Sequence, residues 1–313
     1  MNNIIRFWNQ NRKGIIAGII VIVLLIMFIQ FLNSIAREKN KSTNKEKNIS
    51  IEESELPTES IITGQKISVE TTKSNVSIIK EFVDKCNNND IDGAYNLLTD
   101  RCKELLFPTK QDFIDKYYNN IFSEKKSVGI ENYKNDAKSY TYEVKYYNNA
   151  LETGKLSENN YKDYITIIND SGITKLNISN YIKTKQINKS VEKNGIIVTV
   201  ISTDIYQGYE RYNIQIENKT EKAILINTNK KLETIYMLDD DNIMYSANTS
   251  EIANALWQIG PYMTRMYNIK FNIIYNPNTE GSSINFTDIV EDYEKYINTP
   301  DEVKDRISIR VNM

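Results

Sequence analysis

The chain has 313 residues, 39 Lys and Arg against 41 Asp and Glu, a net charge of −2 and no histidine. This length accommodates two ordinary domains with extensions, and the charge balance offers no global basic surface to nucleic acid. Without histidine, Ser–His and Cys–His nucleophile systems and zinc sites of the Cys/His kind are excluded.

Residues 14–31, GIIAGIIVIVLLIMFIQF, contain Gln30 as their one strongly polar side chain. A helix rising about 1.5 Å per residue just crosses a hydrocarbon layer of about 30 Å on that length. The stretch exceeds the apolar region of a signal peptide, roughly 7 to 15 residues, although Ser34 and Ala36 imitate a cleavage site. The expectation is an uncleaved single-pass anchor over 14–32, with 1–13 cytoplasmic and the bulk of the chain outside the cell. Trp8, Arg12 and Lys13 then serve as membrane-interface anchors, and the lipid bilayer is the first partner.

Residues 33–74 are rich in Lys, Glu, Ser, Thr and Asn and hold no aromatic residue, so they read as a flexible linker. Helical spacing resumes at Val76, Ile79, Val83 and Cys86, and again at Ala94, Leu98, Cys102 and Leu105 behind an N-cap at Asp90. Thr109 and Asp112 are spaced like a capping box for a third helix. Cys86 and Cys102 are too few for a disulfide scaffold; they form either one bridge or two buried thiols.

The period then changes to two. In YTYEVKYYN, Tyr140, Tyr142, Val144 and Tyr146 share a side, and YITIINDSGITKLNIS reads as a hairpin about Asp170–Gly172. Three helices followed by about four antiparallel strands predict an α+β domain over 75–185, its curved sheet wrapping the helices. After Lys183 some seven alternating runs follow, clearest at Tyr267, Ile269, Phe271, Ile273 and Tyr275, with one helix in DIVEDYEKYIN. These predict an all-β sandwich over 186–313.

FVDKCNNNDIDGAYNLLTDRCKELLFPTKQDFIDKYYNNIF resembles the nuclear transport factor 2-like superfamily, in particular the cone domains of TcpC-type conjugation proteins and type IV secretion assembly factors. YNIQIENKTEKAILINTNKKLETIYMLDDDNIMYSAN resembles the immunoglobulin-like modules of exported Firmicutes proteins, with Asn242 where glycine is usual. The resemblances imply a cone domain followed by an immunoglobulin-like sandwich in a Gram-positive envelope protein. Its partners would be other envelope or transfer-channel proteins, with a homo-oligomer left open.

Candidate chemistry is sparse. Tyr140, Tyr142, Tyr146 and Tyr164 suit a cone pocket or, equally, a half-buried sheet. Asp239, Asp240 and Asp241 lack the spacing of a calcium loop and read as a solvated turn. Trp257, Tyr262 and Arg265, with Met263 and Met266, make a candidate partner surface or a core segment. The expected function is non-catalytic binding or assembly, with no cofactor and no metal. The alternatives are an exported small-ligand or envelope-stress module and a cone-fold isomerase or dehydratase.

Overall fold

A computed structural model describes residues 56–136, 139–148, 161–170, 172–228, 233–299 and 306–313. Residues 55–313 form one compact unit. It opens with α1 (Val69–Asn87), α2 (Ile91–Asn96) and α3 (Asp100–Leu106). A fourth helix, α4, covers 110–121 and contains a π-helical turn at Ile114–Tyr118.

Each start is fixed by a local acceptor. The side chains of Ser68, Asp90 and Thr99 accept from the N–H groups of Thr71, Gly93 and Cys102. Thr109 and Asp112 form the capping box expected of them. The run expected as one helix from 91 to 105 is split, because Thr99 caps a new helix.

β1 (Lys126–Asp136), β2 (Ser139–Asn148), β3 (Tyr161–Asp170) and β4 (Ile173–Asn177) form an antiparallel meander in that order. The helices meet it through Ile79, Phe82, Phe113, Tyr117, Tyr142 and Tyr146, all buried. Phe113 stacks on Tyr117 at 5.7 Å, and Asn75 donates to the Tyr142 hydroxyl at 3.1 Å. Within the stretch 33–74, Ile61 and Ile62 donate backbone N–H groups to Asn132 and Tyr133 of β1.

The other strands are β5 (Tyr181–Lys193), β6 (Ile196–Tyr206), β7 (Glu210–Asn218), β8 (Ile224–Leu225), β9 (Ile235–Asp239), β10 (Met244–Asn248), β11 (Gln258–Ile259), β12 (Thr264–Phe271), β13 (Gly281–Ile289) and β14 (Ile307–Asn312). Eight of them make one sheet in the order β14-β13-β9-β10-β12-β7-β6-β5, and β8 pairs with β11. The helix α5 (Tyr293–Asn298) lies between β13 and β14.

The expected architecture, a three-helix cone with an immunoglobulin-like sandwich, is corrected here. The chain is mostly β, and its large sheet is a nearly closed barrel rather than two stacked sheets. The cause lies in the strands. β5 and β6 are long and carry irregularities at Gln186/Lys189 and Val200/Ser202, which increase twist and bend the sheet. It curls until β14 lies beside β5, where Lys193 donates to the Ser308 carbonyl at 3.1 Å. A single core then fills the inside, with Val198, Ile214, Met237, Ile269, Phe286 and Val311 drawn from six strands.

The single-pass anchor and the extracytoplasmic placement are likewise corrected: among the described residues no helix is long and apolar enough to cross a membrane. The longest helix there, the 19-residue α1, is amphipathic and buries Val76, Ile79, Phe82 and Val83. The stretch 14–32 and its flanks Trp8, Arg12 and Lys13 lie outside the described residues.

Gly281 opens β13 where a Cβ would meet the Tyr212 hydroxyl at 2.5 Å, Met237 Sδ at 2.7 Å and Met313 Cε at 2.8 Å. Gly281→Ala is expected to cost about 1–3 kcal/mol by overpacking, read as a lower urea midpoint with unchanged slope.

Candidate functional site

Displaced pKa values mark sites of chemistry, and the buried polar groups carry them here. Asp163 on β3 is fully buried. It accepts from the Tyr117 hydroxyl at 2.8 Å and from the N–H groups of Ser179 and Asn180 at 2.9 and 2.8 Å. Tyr117 and Tyr146 share a hydrogen bond at 3.0 Å. Burial raises the Asp163 carboxyl pKa against these three donors and pushes both tyrosines far up. Ser179 and Asn180 have φ of 59° and 62°, so the carboxylate holds a left-handed turn. Its acceptor capacity goes to the fold. Of the expected pocket tyrosines, Tyr142 and Tyr146 are buried against the helices, while Tyr164 is on the opposite face and donates to Glu143 at 2.8 Å. Tyr140 is half-buried.

Where that opposite face meets the barrel, Lys134 is 2% exposed and has no carboxylate partner among the described residues. Its ammonium donates to the Tyr275 carbonyl at 2.7 Å and lies 4.4 Å from the Tyr275 ring centroid. Burial, with Lys183 nearby, pulls its pKa down to about 8. Beyond it, Thr203, Glu210, Tyr212, Tyr275 and Gly281 line a cavity of about 30 Å3. Tyr212 donates to the buried Glu210 carboxylate at 2.6 Å, and burial raises the pKa of both. A carboxyl–phenol pair can move a proton, but this space holds about one water and no substrate.

Two wider clefts carry little reactive chemistry. One, about 490 Å3, contains Arg101, Asn177, Tyr181 and Thr184. Arg101 is held there by Asp204 at 3.0 Å and Glu104 at 3.2 Å. The other, about 530 Å3, is lined mainly by amides and hydroxyls such as Thr234, Ser246 and Ser250. Cys86 and Cys102 are buried free thiols, and burial lifts Cys102 to about 12. Asp239 is a turn organiser: it accepts from the N–H groups of Asp241 and Ile243 and from the Tyr245 hydroxyl. Among the described residues no cluster of His, Cys, Asp or Glu is arranged to hold a metal.

The segment WQIGPYMTRMYNIKF divides by side. Trp257 is fully buried and stacks on Tyr267 at 5.1 Å and 11°. Tyr262, Met263 and Met266 are 68%, 57% and 56% exposed. Met263 N–H closes a turn onto the Gly260 carbonyl at 3.3 Å, and Tyr262 stands in it with φ of 55°. Pro261 fits the second position of such a turn, while the third, with positive φ, ordinarily takes glycine. Arg265 is half-buried, with no ion pair among the described residues.

Comparisons with known protein families, curated proteins and solved structures return no match.

Asp163→Asn would turn an amide N–H toward donors and is expected to cost about 3 kcal/mol, measured by urea unfolding. The depressed Lys134 pKa makes the folded state release a proton near pH 8 while the unfolded chain keeps it to about 10.5. Stability should therefore rise between those values, by at most on the order of 3 kcal/mol, and Lys134→Met should remove that part of the slope.

Proposed function

We propose that this chain is a non-catalytic binding protein that engages a protein partner through the turn at Tyr262. The observation carrying this reading is a strained, solvent-facing aromatic: a tyrosine at φ 55° with 68% of its surface exposed. A non-glycine residue in that conformation costs about 1–2 kcal/mol, and strain of this sort gathers at ligand clamps and switch regions. The flanking Met263 and Met266 are exposed and adaptable, as suits a surface that packs against another chain. Arg265 shares the Tyr267 side of β12, opposite Met266, and is not part of that surface. The partner of matching chemistry is a protein segment with an apolar side chain that packs on Tyr262, Met263 and Met266.

Two further features favour binding over turnover. The buried carboxylates Asp163, Asp204 and Asp239 are each occupied by hydrogen bonds within the fold. The pocket holding the Glu210–Tyr212 pair admits only a water-sized guest.

The decisive variant is Tyr262→Gly, which relieves the strain and deletes the anchor. Folding stability should stay level or rise by up to about 1 kcal/mol. A photo-crosslinker at Met263, in the full chain in its native cells, should give a discrete adduct that Tyr262→Gly abolishes. An adduct containing two copies of this chain would make the partner the protein itself. An adduct unchanged by Tyr262→Gly, or matched by a probe at the exposed Ile274, would overturn the reading.

A further inference from the structure

A second feature of the barrel exterior stands independently of the Tyr262 turn. Arg211 on β7 and Lys270 on β12 are direct partners across the ladder. Like charges set opposite one another destabilise a sheet, and among the described residues neither cation has a carboxylate at ion-pair distance. Both gather at one ring: Lys270 Nζ is 4.3 Å and Arg211 Cζ 5.8 Å from the Tyr209 centroid. That ring stacks on Tyr206 with centroids 4.3 Å apart and planes 16° apart, and Arg211 is 5.8 Å from Tyr206 as well.

The tyrosines cannot neutralise the cations, because a ring face supplies only a quadrupole. Tyr206 is 1% exposed and backs the Tyr209 ring from inside the fold. Asp204 and Glu251 are the carboxylates that act on Tyr209 through space. Asp204 is taken up by Arg101, Thr184 and Asn213. Glu251 is on the exposed loop after β10 and bonds to neither cation.

We infer that Arg211 and Lys270, over the Tyr206–Tyr209 stack, form a binding site for an oxyanion, the carboxylate or phosphate of an acidic ligand. Arg211 supplies a planar fork and Lys270 a point charge. Binding cancels the cross-strand repulsion, so occupancy and stability rise together.

The test follows from that linkage. The full chain is melted in inorganic phosphate, in glutarate and in sodium chloride at matched ionic strength. Phosphate or glutarate should raise the midpoint in a saturable way that chloride does not, and the anion that saturates first identifies the ligand group. Arg211→Gln with Lys270→Gln should weaken the response at least roughly tenfold. Without added anion the same double variant should melt no lower than the parent, since it removes a repulsion; this separates lost binding from lost folding. Arg211→Lys, keeping charge without the fork, should fall between. Equal response to all three salts, or an undiminished response in the double variant, would overturn the assignment, whatever the outcome at Tyr262.

Discussion

Asp163 is fully buried, and two of its hydrogen bonds come from the consecutive N–H groups of Ser179 and Asn180. Those two residues carry the chain out of β4 and into β5, both in the left-handed region. The Asn180 carbonyl then accepts from the Gln207 N–H at the β6–β7 turn, and the Gln207 carbonyl from the Tyr275 N–H. Tyr275 in turn receives the Lys134 ammonium at its carbonyl. One carboxylate thus starts a relay of backbone contacts that fixes the four-stranded sheet against the barrel. Burying a carboxylate is costly unless it is hydrogen-bonded, and Asp163 meets three donors.

The seam built on that relay is polar where most interiors are apolar. Lys134, Glu210, Tyr212 and Thr203 are all buried there. Their displaced proton affinities arise from crowding and dehydration, and the adjacent void is too small to hold a reactant. Perturbed titration here reports architecture, and the working surface is sought outside, where β7 and β12 face solvent.

Local structure was largely legible in the sequence. The Thr109–Asp112 box, the alternation in Tyr212–Ile216 and the hairpin about Gly172 depend on neighbours a few residues apart, and all form, whereas the alternation expected from Tyr267 to Tyr275 is a strand only as far as Phe271. Pairing over long distances was not legible. Alternation says which face a strand buries but not which strand it joins, so of some seven runs expected in two stacked sheets six entered one eight-stranded sheet and the run at Ile224–Leu225 paired with β11 instead. The burial of Lys134 was hidden by a register shift between Asn132 and Lys134. Likewise Arg211 and Lys270 stand far apart along the chain, and only the strand register brings them opposite. In WQIGPYMTRMYNIKF the signal was present but unused: Met266 and Tyr267 are adjacent on a strand and must point to opposite sides.

The near-closure of the barrel has a further consequence. Because β14 lies beside β5, the two terminal strands of the large sheet face each other, and the Lys193 side chain occupies the Ser308 carbonyl. In the smaller sheet, β1 is flanked by Ile61 and Ile62, and β4 exchanges Leu176 contacts with Leu97 and Thr99. Strand margins normally invite another chain to lengthen the sheet, whether as a docked peptide or an aggregate. Here those margins are partly covered by the chain itself, which discourages growth into filaments.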